Sequence, residues 1–167
     1  MILVDSDLRG GKLHSYVGAQ AGTGITDFVN GTDGPETIIR KTDITGFDYI
    51  TCGTHQRGST EMLRHARYSG LMTYLAQGYE YVLLTAPPVL TVADATIVGQ
   101  YADLTLMVLR SAEHRQDEIR DAAGRLAAAG VDVNGAILNR VDIQHNPYYY
   151  SQYYRREYAD YYTSSNK

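Results

Sequence analysis

Two aspartates, Asp5 and Asp7, close the first apolar run of the chain, Ile2-Leu3-Val4. Side chains at i and i+2 of an extended segment leave on the same side, so both carboxylates can face one crevice where a strand ends. Such a pair suits Mg²⁺, a hard cation that takes one or two carboxylates and completes its shell with water and phosphate oxygens. One of the two can also accept the proton of an attacking hydroxyl. Asp-Ser-Asp is equally ordinary chemistry for a strand-to-loop turn, and the spacing alone leaves both readings open. A second position of interest is Thr85, which ends the run Tyr81-Val82-Leu83-Leu84 and precedes Ala86-Pro87-Pro88. Twin prolines after a buried strand force the chain out of the sheet, and Thr85 by itself carries no catalytic group. The third feature is compositional. Eight of the 15 tyrosines fall in the final 20 residues, at Tyr148, Tyr149, Tyr150, Tyr153, Tyr154, Tyr158, Tyr161 and Tyr162. Such a segment reads either as a sticky polar end or as a set of accessible phenolic hydroxyls, since it has too few aliphatic residues to build a core.

The elements that must hold these groups can be read from periodicity. Apolar runs at 2–4, 47–50, 81–84, 104–109 and 135–138 predict strands. The last three are nearly continuous, which suits parallel strands covered on both faces. Between them, Ser59 or Thr60 can cap a helix that carries Met62, Leu63, Ala66, Leu71, Met72 and Leu75 inward and stops near Gly78. A second helix runs from about His114 to Ala129, with Ile119, Ala122, Ala123 and Leu126 inward and Gly130 after it. Val92-Ala93-Asp94-Ala95 reads as the start of a short helix between the third and fourth strands. Alternating strands and helices predict an α/β fold, a doubly wound, mostly parallel sheet with helices on both faces. Ligands of such sheets sit beyond the carboxyl ends of the strands, where Asp5, Asp7 and Thr85 fall. The expected division is a folded unit over 1–145 and a tyrosine-rich tail over 146–167.

Composition narrows the function classes. A net charge of −4 gives no overall basic field, so nucleic acid is not an expected partner. One cysteine, Cys52, excludes an internal disulfide and any multi-cysteine metal site. No apolar run reaches the ~18 residues of a membrane span, and Met1-Ile2-Leu3-Val4-Asp5 lacks the cationic start of a signal peptide, so a cytoplasmic location is expected.

Taken together, these segments resemble the catalytic domain of bacterial tyrosine kinases (BY-kinases), relatives of the septum-site and partition ATPases with P-loop NTPase-like folds. Ile2-Leu3-Val4-Asp5-Ser6-Asp7-Leu8-Arg9 looks like their Walker A′ motif, and Tyr81 to Leu90 like their Walker B strand with its Pro-Pro exit. Thr91-Val92-Ala93-Asp94-Ala95, the 104–110 strand, Gly135-Ala136-Ile137-Leu138-Asn139 and the terminal tyrosines follow in the family's order. The resemblance implies that Asp5 and Asp7 serve Mg²⁺ and the activation of a tyrosine hydroxyl, with ATP as co-substrate. It implies that Asn139 contributes to a nucleotide-base pocket; a plain loop asparagine is the other reading. It makes the eight tail tyrosines autophosphorylation sites, modified between neighbouring subunits of a ring. It further implies a membrane polysaccharide co-polymerase or activator module, fused or separate, that holds the kinase at the inner face of the cell membrane. A cognate tyrosine phosphatase and a role in exopolysaccharide or capsule synthesis and export complete what it implies.

The sequence departs from the family's pattern in three places. No Gly-x-x-x-x-Gly-Lys-[Ser/Thr] occurs; Gly10-Gly11-Lys12 has neither its spacing nor its hydroxyl. Thr85 stands where the family has the Walker B aspartate, and Gly58-Ser59-Thr60-Glu61 where it has Asn-Pro-Ser-Glu. The family's phosphate-loop strand lies inside the sheet, so its omission is expected to leave strand edges and apolar faces without partners, as in a fragment of a longer protein. The alternatives are a degenerate pseudokinase whose tail is a substrate or scaffold and, less in keeping with the tyrosines, a partition-type ATPase fragment.

Overall fold

Each apolar run becomes a strand, and the gaps between runs become helices. The computed structural model describes residues 1–18, 22–54 and 58–142. In chain order these hold β1 (Ile2–Asp5), α1 (Leu13–Tyr16), α2 (Ile25–Asn30), β2 (Arg40–Lys41) and β3 (Asp48–Ile50). Next come α3 (Ser59–Leu63), α4 (Ala66–Gly78), β4 (Val82–Thr85), α5 (Asp94–Gly99), β5 (Thr105–Arg110), α6 (Gln116–Ala128) and β6 (Val133–Asn139). The boundary expected at 145 and the whole tyrosine tail lie outside the described residues. Among the described residues no helix is long and apolar enough to cross a membrane.

Two sheets form rather than one. The first has the order β2-β3-β1-β4 and the second pairs β5 with β6. β1 runs parallel to both β3 and β4, with Asp5 opposite Thr85, so the candidate residues end neighbouring strands at the same level. β5 and β6 are also parallel. The main core gathers Ile2 and Val4 of β1, Ile50 of β3, Leu63 of α3, Leu71 and Leu75 of α4 and Ile97 of α5, each at most 5% exposed. Burying one such aliphatic side chain stabilises the fold by about 1.5–3 kcal/mol, so this side of the first sheet is well anchored. Tyr68 of α4 lies in the same core, its ring edge-on to Tyr101 at 5.3 Å and its hydroxyl 2.9 Å from Ser6 Oγ. Burial pushes that phenol up to about 12.

Two expectations need correction. The helix predicted from Ser59 to Gly78 is two helices, because His65 leaves helical geometry (φ −69°, ψ 143°) and caps α4 by accepting the Arg67 N–H at Nδ1. The N-cap of α3 is Gly58 at φ 87°, a left-handed conformation that glycine adopts without steric cost; Ser59 and Thr60 lie inside the helix, their hydroxyls used elsewhere. The second correction concerns the near-continuous apolar strands, which are not covered on both faces. Leu83, Leu106, Val108 and Ile137 are 49%, 49%, 57% and 49% exposed. Leu106 and Val108 point to one side of β5, and Ile137 stands beside Val108 in the parallel register. α6 buries Ala122 and Leu126, and no described element covers the exposed side chains.

Candidate nucleotide and metal site

β1 delivers Asp5 to the end of the sheet almost fully buried, at 3% exposure. Its Oδ2 accepts the Leu13 N–H at 2.9 Å and its Oδ1 accepts the Thr85 hydroxyl at 2.9 Å. The first bond ties the strand to the start of α1, and the second joins the tips of β1 and β4. Asp7 turns back on its own loop, Oδ1 accepting the N–H groups of Arg9 at 3.1 Å and Gly10 at 3.0 Å. The ordinary turn chemistry of Asp-Ser-Asp is therefore realised at Asp7, while Asp5 is buried between the tips of β1 and β4 with both oxygens bonded. Gly11 is required by this packing. A Cβ there would meet Asp5 Oδ2 at 2.5 Å and the Asp7 carbonyl oxygen at 2.6 Å. Cys52, after β3, donates its Sγ–H to the Gly11 carbonyl at 3.6 Å, and burial, with Asp5 nearby, pushes the thiol up to about 11.

A further group of residues locks this loop, and sequence reasoning missed its role. Arg9 donates Nε–H to Asp94 Oδ2 at 2.7 Å and Nη2–H to Asp94 Oδ1 at 3.2 Å. Thr60 donates its hydroxyl to the same Oδ1 at 2.7 Å and accepts from Arg9 Nη2 at 2.9 Å. Asp94 has no exposed surface, and although burial works against its charge, the Arg9 and Thr60 bonds hold its carboxyl below the usual carboxylate range. The only signal in the sequence was an arginine two residues after Asp7. Its partner lies 85 residues away, and no local spacing reveals it.

Thr85 also lines a cleft of about 780 Å³ between β4 and β5, with Asn139 and Arg110 on its rim. Asn139 ends β6; its Oδ1 accepts the neighbouring Arg140 N–H at 2.8 Å, and its carbonyl accepts the Ser111 N–H at 2.9 Å. The structure thus brings Asp5 and Thr85 together, turns the Asp7 carboxylate onto its own loop, and places Thr85 and Asn139 on one cleft. The eight tail tyrosines lie outside the described residues.

The donor set can be tested against Mg²⁺. Two carboxylates and a hydroxyl at the strand ends match what Mg²⁺ takes when water and nucleotide phosphates supply its other oxygens. Among the described residues, no three His, Cys, Asp or Glu side chains gather closely enough to hold a metal alone. The described residues do not form a self-sufficient metal site, and any Mg²⁺ here would need oxygens from water and a nucleotide.

Parallel strands joined through helices, with Asp5 at the tip of a central strand, make an α/β domain of the P-loop NTPase type. The solved kinase domain of Escherichia coli tyrosine kinase ETK is similar to the chain with a TM-score of 0.79 and 32% identity, over 83% of this chain and 54% of that one. The tyrosine-protein kinase ptk of Acinetobacter johnsonii is 35% identical over 144 residues, 86% of this chain and 19% of the relative. The putative tyrosine-protein kinase EpsB of Ralstonia solanacearum is 36% identical over 169 residues, 100% of this chain and 22% of the relative. No protein-family model matches. The chain belongs to the bacterial tyrosine kinases and matches part of their kinase domain. It spans about a fifth of the length of the curated relatives it matches.

Proposed function

We propose that this chain is part of an ATP-dependent protein-tyrosine autokinase serving exopolysaccharide or capsule synthesis and export, and that it is inactive in isolation. The observation that supports the reading most is Asp5 at the tip of β1, bonded to Thr85 at the tip of β4, with Asp7 two residues on. In this reading Asp5 and Asp7 hold Mg²⁺ and accept the proton of the attacking tyrosine hydroxyl, and Asn139 faces the nucleotide base. Magnesium, when bound, neutralises phosphate charge. The residues of the chain supply orientation: the Leu13 N–H and Thr85 hydroxyl fix Asp5, and Arg9 fixes the loop through Asp94. The sequence contains no glycine-lysine phosphate loop, and phosphoryl transfer depends almost wholly on the positioning and charge such a loop provides. The tail tyrosines 148, 149, 150, 153, 154, 158, 161 and 162 are the acceptors in this reading. A ring of subunits, a membrane activator module at the inner face of the cell membrane and a cognate phosphatase are the corresponding partners.

Thr85 favours a second reading, a pseudokinase whose tail is a substrate or scaffold, since a hydroxyl replaces a carboxylate at that strand tip. One experiment addresses both. The purified chain with magnesium and ATP should incorporate no phosphate, whereas an active kinase domain such as that of ETK should phosphorylate its tail. Replacing the eight tail tyrosines with phenylalanine should abolish that signal. Self-phosphorylation by the chain alone would refute the assignment of inactivity. An unmodified tail in the presence of active kinase would refute the acceptor role in both readings.

A further inference from the structure

A second pocket, of about 430 Å³, lies where β2, β3 and the end of α4 meet. The antiparallel register of β2 and β3 sets Lys41 opposite Asp48. Asp48 opens β3 with 5% of its surface exposed, and a carboxylate so deep in a fold needs partners. Two donors meet it on the same oxygen: Lys41 Nζ–H at 2.7 Å and the Tyr79 hydroxyl at 2.6 Å, both on Oδ2. Burial works against the Asp48 charge, yet these bonds hold its carboxyl below the usual carboxylate range, so it stays ionised beside the ammonium. Burial and the bond to Asp48 push the Tyr79 phenol up to about 12, so it stays protonated. The remaining wall is the end of α4, where Tyr74, Gln77 and Gly78 fall at i, i+3 and i+4 on one face. A Cβ at Gly78 would meet no atom within 4 Å, so the wall is open there.

We infer that this pocket binds a neutral pyranose sugar, free or at the end of a glycan. The lining sets the class of ligand. Lys41 has ammonium N–H groups beyond the one given to Asp48, and Asp48 has Oδ1, which neither donor uses. Tyr79 keeps its phenolic lone pairs, and Gln77 brings an amide donor and an amide acceptor. Tyr74, 44% exposed, adds an aromatic ring. Charge is balanced across these groups. An entering anion meets the Asp48 carboxylate, and an entering cation meets the Lys41 ammonium. A wholly apolar ligand would strip water from every polar group and return no bond. A sugar ring carries hydroxyls that both donate and accept, and an apolar C–H face suited to a tyrosine ring, so it escapes all three penalties.

The volume falls within the roughly 300–1,000 Å³ of small-molecule sites and leaves room for one or two rings. The place of the pocket in the fold separates it from the candidate nucleotide site. β1 and β3 run parallel with Ile2 opposite Asp48, so the pocket sits at the amino ends of these strands and Asp5 at the carboxyl end. A sugar at one end and a nucleotide at the other do not compete. The ligand class follows from the pocket alone and goes beyond the kinase reading.

The test is an NMR titration of the ¹⁵N-labelled full chain with methyl β-glucoside, methyl β-galactoside and cellobiose. At least one should shift the amides of Lys41, Gln77, Gly78 and Tyr79 saturably, with a Kd of about 1–10 mM for so small a polar ligand. The amides of Asp5 and Thr85 should stay in place. Sorbitol, which has the hydroxyls without the preformed ring, should shift nothing at the same concentration, nor should inorganic phosphate or guanidinium. Gly78→Leu grows a side chain into the open wall without removing any pocket bond; it should weaken binding at least about tenfold while Tm holds or rises, leucine being the better helix former. Tyr74→Ala should weaken it about two- to tenfold, the worth of one ring contact. No saturable shift with any of the three sugars would overturn the inference. So would an equal response to sorbitol, tighter binding of either ion, or sugar binding that survives Gly78→Leu. The titration uses neither nucleotide nor a second kinase, so its failure leaves the kinase reading untouched.

Discussion

Asp94→Asn is the most informative single change, because it keeps the side chain's shape while removing its charge and one of its two acceptor oxygens. Asp94 accepts two bonds from the Arg9 guanidinium and one from the Thr60 hydroxyl while wholly buried. Charge-assisted bonds contribute about 1.5–3 kcal/mol each in favourable settings, and breaking a fully buried ion pair costs about 3–5 kcal/mol. Arg9 is 47% exposed, so water re-solvates its guanidinium when the partner charge is lost, and the cost falls to about 2 kcal/mol. That is roughly a thirtyfold drop in the folding constant and, for a chain of this size, a fall of about 4–8 °C in Tm. The assay is urea denaturation followed by circular dichroism at several pH values, with a slope shared by both proteins. The pH dependence has a definite sign. Asp94 has a folded pKa below its unfolded value, so its contribution is fully present above the unfolded value and is lost as pH falls through the folded one. Wild type and variant should differ most near neutrality and converge in acid. Equal urea midpoints at pH 7, or a gap that widens on acidification, would refute the reasoning.

Two further outcomes follow from the same region. Gly11→Ala drives a Cβ into Asp5 Oδ2 and the Asp7 carbonyl and should destabilise the chain by about 2 kcal/mol in a thermal melt; an unchanged Tm would show that this loop is not tightly packed. Cys52, with its thiol pushed up to about 11, should react with a disulfide reagent at pH 8 about a hundredfold or more slower than in urea, and fast labelling of the native chain would contradict its burial.

Much of this architecture was legible because strands and their ends are local signals. All five apolar runs lie within or overlap the observed strands, and β1 and β4 end level with each other, so Asp5 and Thr85 meet as expected of residues at the carboxyl ends of parallel strands. What escaped was non-local or unpatterned. β2 has two residues, Arg40 and Lys41, and no apolar run to announce it. The break at His65 is hidden because Met62, Leu63 and Ala66 keep helical spacing across it. Asp94 reads as a helix start, and its grip on Arg9 depends on a contact between residues 85 apart in the chain. The exposure of Leu106 and Val108 depends on tertiary cover, which a pattern of apolar residues cannot announce.

Helix α5 stands in two places at once. Its first residue grips the arginine that follows Asp7, and its next turns, through Ala95 and Val98, line the open space between the half-sheets. Whatever shifts this helix from one side is therefore felt at the other. Thermodynamic linkage makes such an influence mutual: whatever steadies one side of the helix by some factor is itself held more tightly, by that factor, once the other side is steadied.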